Sequence, residues 1–203
     1  MKCVRAVFAR GVFIALAVGP FAGGAWSQTF LKSGIYEGLM LAVDAQGDVT
    51  GYFREAQGSG VTKTCSFFLS GREKGGQADV VTWSLEAFPG SLKPADDGVI
   101  LRVENGRDHP GCASVLPPLI SDGMLLDLDS RADWTSLRRV TAKRSYLLKK
   151  PNDRRGARAY LVRGDIVGVL GRSGDWLHVE YAKEGRRTGG WMRAADTAEI
   201  KPP

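Results

Sequence analysis

Histidine and cysteine, the side chains most often used as metal ligands and nucleophiles, are scarce in this chain. Of 203 residues, two are histidines (His109 and His178) and three are cysteines. The two histidines lack the spacing of a metal site, and the sequence contains no Gly-x-Ser-x-Gly, phosphate-binding loop or dinucleotide fingerprint. The sequence therefore predicts a protein that is not an enzyme and uses no cofactor and no metal. Two catalytic alternatives stay open: a Cys112 thiol beside His109, and a hydrolase using the carboxylates of Asp127 and Asp129.

Apolar runs long enough to span a bilayer, which takes roughly 20 residues, are also missing. The apolar segment 11–19 follows three basic residues and precedes a small-residue cleavage site that ends at Ser27. This pattern predicts a signal peptide over residues 1–27 and a periplasmic or secreted protein. We expect no stable membrane span after cleavage. The alternative is an uncleaved N-terminal anchor.

The cysteines are few enough to suggest a single bridge. Cleavage after Ser27 would remove Cys3 and leave Cys65 and Cys112. An even pair in an oxidising compartment predicts one disulfide, which would stabilise the fold by about 3–4 kcal/mol through the lost chain entropy of the unfolded state. The alternative is two free thiols.

Positive charge is concentrated in one part of the chain. Residues 28–139 carry 11 lysines and arginines against 15 aspartates and glutamates, whereas residues 140–203 carry 14 against 7. A basic exported module favours anionic envelope polymers, lipid headgroups or acidic proteins as partners; nucleic acid is not expected in that compartment. The alternative is a merely solvated basic surface, or one that matches the acidic N-terminal half.

Helical periodicity with caps is absent. Short β-rich runs are expected instead at 35–43, 49–54, 65–69, 80–85, 99–103 and 124–129. Glycine, proline and aspartate clusters separate them and predict turns, including the interval 88–98. The sequence predicts an all-β protein, with an antiparallel barrel or sandwich over residues 28–139. Its aromatic residues Tyr36, Tyr52, Phe53 and Trp83 give it a weak architectural similarity to lipocalin-like or lysozyme-inhibitor-like domains. The alternative is that these aromatics fill the core.

The C-terminal third contains three apolar runs separated by glycine turns. The first covers 159–167, the second covers 174–181 with Gly174-Asp175-Trp176 at its start, and the third covers 188–192 and contains Gly190-Trp191. In order and spacing, this segment resembles a bacterial SH3 module over about residues 141–197. The resemblance implies a small SH3-like β-barrel over residues 140–203 that binds rather than catalyses.

The candidate ligand-binding residues come from that resemblance and from strand alternation. SH3-like modules bind ligands in aromatic-lined grooves, and the resemblance implies that Tyr146, Trp176 and Trp191 line such a groove here. Alternation places Trp176 and His178 on the strand face opposite the apolar residues. Loop arginines, Arg186 and Arg187, would add a basic rim. The alternative is that Trp176 packs against the N-terminal module and that Trp191 lies in the core.

Together these features predict an exported, non-catalytic binding protein. Its SH3-like module would bind a cell-wall polymer such as peptidoglycan, or an envelope protein. A second interpretation is an inhibitor or immunity-type protein that acts through its N-terminal domain on an envelope-degrading enzyme. A third is a carrier of a small apolar ligand inside the N-terminal barrel.

Overall fold

The structure of the chain is a computed structural model that describes residues 30–59, 61–153, 157 and 159–203. Within these ranges the regular elements are β-strands and short 3-10 turns, so the prediction of an all-β protein is confirmed. No helix in the same ranges has the length and apolarity needed to cross a membrane. The predicted signal peptide, residues 1–27, lies outside the described residues.

The N-terminal part is a closed antiparallel barrel of eight strands. The strands are β1 (Gly34–Tyr36), β2 (Leu39–Val43), β3 (Asp48–Gln57), β4 (Lys63–Lys74), β5 (Gln77–Trp83), β6 (Ala87–Pro94), β7 (Gly98–Val103) and β8 (Met124–Arg131). Consecutive strands pair along the chain, and β1 pairs with β8 to close the barrel. Of the two predicted architectures, the barrel is therefore the observed one.

Two barrel segments differ from the prediction. The apolar run 35–43 is a hairpin instead of one strand, with a turn at Gly38, whose φ of 71° suits glycine. The interval 88–98, expected as a turn, holds most of β6. Gly90 lies in the middle of β6, and a Cβ atom at this position would lie 2.6 Å from the Arg102 carbonyl oxygen of β7. A residue with a side chain would therefore not fit between the two strands. Glycine thus serves close strand approach here rather than a turn.

The barrel interior is filled with side chains. Alternate residues of each strand point inward and form one buried apolar cluster. Phe53 and Phe67 stack within it, with ring centroids 5.0 Å apart, and Tyr36 is also buried there. Tyr52 and Trp83 belong to a different cluster outside the barrel. A filled interior argues against the carrier of a small apolar ligand.

Residues 104–123, which we call the closing segment, connect β7 to β8 at one end of the barrel. Val115, Leu116 and Ile120 of this segment are buried with the inward-facing strand residues. Cys112 forms a disulfide with Cys65 of β4, so the predicted bridge is confirmed. Both cysteines are fully buried. A buried disulfide is typical of proteins from oxidising, exported compartments.

The C-terminal unit consists of a five-stranded sheet and a two-stranded ribbon. Its strands are β9 (Ser136–Val140), β10 (Arg144–Leu147), β11 (Ala159–Val162), β12 (Ile166–Ser173), β13 (Trp176–Lys183), β14 (Arg186–Arg193) and β15 (Thr197–Glu199). The sheet order is β14-β13-β12-β9-β15, and β10 and β11 form the ribbon. Apolar residues of the ribbon and sheet share one core. The expected domain boundary between residues 139 and 140 falls within β9.

The two units pack directly against each other around Trp134. This side chain is 1% exposed, and it shares a buried cluster with Ala42 and Trp83 of the barrel and with Ile166 and Ile200 of the C-terminal unit. Polar contacts cross the same boundary: the Leu137 N–H donates to Thr50 Oγ1 at 2.8 Å. The barrel therefore presents part of its outer wall to the second unit instead of to solvent.

Candidate functional site

Strands β13 and β14 present two chemically different faces. Leu177, Val179 and Met192 point into the core of the C-terminal unit. On the opposite face, Trp176 lies across from Arg193 and His178 lies across from Trp191. The structure thus agrees with the alternation expected for β13.

A groove of about 330 Å³ lies where β13 and β14 meet the ribbon. Its lining consists of Ser145, Tyr146, Leu148, Asn152, Ala157, Trp176, Arg193 and Asp196. Tyr146 is half exposed and Trp176 is partly buried. Two aromatic side chains from different sheets therefore line one concave site, which is the usual form of a small-ligand or polymer-binding site.

Charged groups of both signs accompany the aromatic side chains. The Arg193 guanidinium carbon is 5.3 Å from the centroid of the Trp176 ring, within the range of a cation–π contact. The Ser145 hydroxyl donates to Asp196 Oδ2 at 2.6 Å. Ser145 is 2% exposed, so it serves to orient the carboxylate. The aromatic rings of the groove can hence stack on a ring or apolar face of a ligand, and Arg193 and Asp196 at its edge can pair with charged groups of that ligand.

The structure brings only some of the predicted site residues together. Tyr146 and Trp176 line the groove. Trp191 stacks on His178 with ring centroids 5.0 Å apart; this pair lies next to the groove on the same strand face and does not belong to the core cluster. Trp176 thus lies in the groove lining, and Trp191 lies outside the apolar core cluster of the C-terminal unit.

Arg186 and Arg187 do not form a rim around the groove. Arg187 donates to Glu180 Oε1 at 3.0 Å and to Ser130 Oγ of the barrel at 2.6 Å. Its guanidinium also lies 5.7 Å from the Trp134 ring centroid. Arg186 is exposed opposite Lys183 at the end of the β13–β14 hairpin. Arg187 therefore belongs to the contact between the two units.

Comparison with known proteins gives no relative for this arrangement. No family model, curated protein or solved structure matches the chain. The geometry of the described residues alone supports a functional interpretation.

Sequence reasoning missed Ser145, Asn152, Arg193 and Asp196 as groove residues. Arg193 had a usable signal, because it follows Trp191 by two positions and therefore shares its strand face. Asp196 lies in a 3-10 turn after β14, and the sequence gives no indication that this turn folds beside the ribbon.

His109 is the second chemically distinctive group, and it lies in the closing segment. It is 1% exposed, stacks on Phe67 at 4.7 Å, and its two ring nitrogens lie 3.0 Å from Thr82 Oγ1 and 3.1 Å from Ser84 Oγ. Burial lowers the pKa of His109 from 6.5 to about 4, against a smaller opposing effect of Asp108. Because the neighbouring Cys112 is bridged to Cys65, no thiol is present there for a neutral His109 to activate.

The two carboxylates of β8 are both exposed. Asp127 lines a depression of about 440 Å³ together with Lys32, Tyr36 and Arg131. Asp129 does not line this depression. The depression therefore brings Asp127 together with Asp96 and Asp97 of the β6–β7 turn, and not with Asp129.

Proposed function

We propose that this protein is an exported, non-catalytic binding protein whose C-terminal unit holds a cell-envelope polymer in the groove. Peptidoglycan is the first candidate. The observation that carries the proposal is the placement of Trp176 and Tyr146 in one groove edged by Arg193 and Asp196. The buried disulfide supports export.

The chemistry of the groove suits such a polymer. A rigid indole or phenol ring offers a large contact area at low entropic cost, and the apolar faces of sugar rings stack on such surfaces. Stem peptides of a wall polymer carry carboxylates and amino groups, which match the guanidinium of Arg193 and the carboxylate of Asp196. A single groove thus provides contacts for both components of peptidoglycan.

The test is co-sedimentation of the purified protein with peptidoglycan sacculi. We expect Trp176→Ala to weaken binding about tenfold or more, as for a central aromatic contact. Tyr160→Ala is the matched control, because Tyr160 is an exposed tyrosine of the same ribbon (51% exposed) outside the groove lining. This variant should bind sacculi like the unaltered protein.

Two results would contradict the proposal. One is the absence of sedimentation with sacculi; the other is sedimentation that Trp176→Ala leaves unchanged. Capture of an envelope-degrading enzyme by both the unaltered protein and Trp176→Ala would instead favour the inhibitor interpretation, with the N-terminal barrel as the binding unit.

A further inference from the structure

The outer face of the β10–β11 ribbon exposes aromatic and apolar side chains to solvent. Tyr146 lies opposite Tyr160, and Arg144 lies opposite Val162. The two tyrosines and Val162 are 50%, 51% and 43% exposed. The inner face carries the alternate residues, including buried Leu147 and Leu161. The inner face of the ribbon is therefore buried, and its outer face exposes two tyrosines and a valine where solvent favours polar residues.

Positive charge surrounds this face. Residues 141–165 contain eight lysines and arginines and two aspartates. Arg144 belongs to the face itself, and its guanidinium carbon lies 4.2 Å from the Tyr160 ring centroid. Lys143 and Arg163 are exposed at one end of the ribbon, and Lys149 and Lys150 are exposed at the other. Cations thus flank the exposed rings at both ends.

We propose that this ribbon face binds the headgroup region of an anionic phospholipid bilayer. Tyrosine favours the membrane–water interface because its ring is apolar and its hydroxyl is polar. Basic side chains near an anionic leaflet each add attraction. The protein would lie on the surface, with the ribbon facing the lipid, and would not span the bilayer.

The combination of side chains favours a bilayer over a soluble acidic partner. A dissolved polyanion satisfies the cations and leaves the two tyrosines and Val162 in water. A bilayer interface accepts the cations at its phosphates and buries the apolar side chains just below them. The ribbon face borders the groove at Tyr146, whereas Tyr160, Val162 and Arg144 do not line the groove, so substitutions at these three positions test the face without altering the groove. The inference goes beyond the proposed function and stands independently of it.

The experiment is co-sedimentation of the purified protein with vesicles of phosphatidylglycerol and phosphatidylcholine, with pure phosphatidylcholine vesicles for comparison. We expect binding to the anionic vesicles only. Arg144→Gln should weaken binding about fivefold, the effect of one basic side chain at such a surface. The double variant Tyr160→Ser with Val162→Ser should weaken it at least as much.

Matched controls lie elsewhere on the surface. Arg172→Gln removes an exposed arginine of β12, and Leu85→Ser removes a side chain that is 81% exposed on the barrel. Both should bind vesicles like the unaltered protein. Trp176→Ala should also retain vesicle binding, and Tyr160→Ser with Val162→Ser should retain binding to sacculi. Failure of the groove proposal and failure of the lipid proposal are thereby separable.

Three outcomes would overturn the lipid proposal. The first is no binding to phosphatidylglycerol vesicles. The second is binding that the Tyr160→Ser, Val162→Ser variant leaves unchanged, which would reduce the interaction to charge alone. The third is equally tight binding to soluble polyglutamate with the same dependence on Tyr160, which would assign the face to an acidic polymer or protein. Circular dichroism of each variant verifies that it is folded.

Discussion

At the scale of single residues, Gly168 determines how closely β12 approaches Trp134. A methyl group at this position would lie 2.3 Å from carbons of the Trp134 ring, well inside van der Waals contact. The ring is buried between the two units, so it has little room to move. Only glycine fits at position 168, because the Trp134 indole occupies the space that a side chain would need.

We therefore expect Gly168→Ala to lower the free energy of unfolding by about 3 kcal/mol, as for overpacking in a rigid core. Urea denaturation measures the change. Gly171→Ala is the control on the same strand, because a Cβ there has no heavy atom within 4 Å and the backbone does not need glycine. Its effect should stay within about 0.5 kcal/mol. Equal destabilisation by the two variants would show that strand propensity, and not the Trp134 contact, is responsible.

Residue-level predictions from the sequence succeeded where one local rule decided the outcome. Alternation along β13 was enough to separate Trp176 from Leu177. The pairing of Cys65 with Cys112 followed from their number. Local rules place Arg193 on the same strand face as Trp191, but only the strand register shows that it lies opposite Trp176. Tyr146 was named through the resemblance to bacterial SH3 modules and not through a local rule, because its ribbon lies far from Trp176 in sequence.

At the scale of elements, the closing segment depends on His109 staying neutral. Its imidazole is enclosed by Phe67, Phe88 and the hydroxyls of Thr82 and Ser84. With a pKa near 4 in the folded protein and 6.5 ordinarily, the unfolded chain takes up a proton at a higher pH than the folded chain. The contribution of neutral His109 to the free energy of unfolding is fully present above pH 6.5 and is lost as the pH decreases through 6.5 toward 4.

The expected loss from His109 by pH 4 is about 3 kcal/mol, since each pKa unit corresponds to about 1.4 kcal/mol. Urea denaturation at pH 7 and pH 4.5 should show a smaller difference for His109→Gln than for the unaltered protein. The remaining ionisable side chains are the same in both proteins, so the comparison isolates the histidine. An unchanged pH dependence in His109→Gln would contradict the assignment.

Elements were predictable from the sequence where apolar alternation and turn residues agreed. Strands β3, β4, β5 and β7 fall at expected places for this reason. Strand β6 was missed because Pro89, Gly90 and Pro94 suggest a turn; only the neighbouring backbone of β7 shows why a small residue suits the middle of that strand. Local composition does not contain this long-range requirement.

At the scale of the whole molecule, the contact around Trp134 makes the two units mutually dependent. Apolar residues of the barrel wall, the connection and the C-terminal sheet form one buried cluster, and Arg187 joins β14 to Ser130 of β8. The absence of a Gly- or Pro-rich linker in the sequence is consistent with such direct packing. The relative placement of the units was not predictable, because it depends on which barrel strands expose Ala42 and Trp83.

We expect the unaltered protein to unfold in a single calorimetric transition and Trp134→Ala to unfold in two. Removal of a buried tryptophan costs about 4 kcal/mol, and here that loss falls on the contact between the units. Trp176→Ala, which changes the groove and not this contact, should keep one transition. Two transitions in the unaltered protein, or one in Trp134→Ala, would show that the units are not coupled through Trp134.

The pairing of β1 with β8 also determines whether the barrel of a truncated chain can close. All other barrel pairs join strands that follow each other in sequence, whereas this one joins Gly34 to Arg131. During synthesis, which starts at the N-terminus, successive hairpins can form early. One edge of β1 stays unpaired until β8 has been made, because contacts between residues distant in sequence form late. Any product that ends before β8 is an open sheet with two free edges, the form most prone to strand-to-strand aggregation.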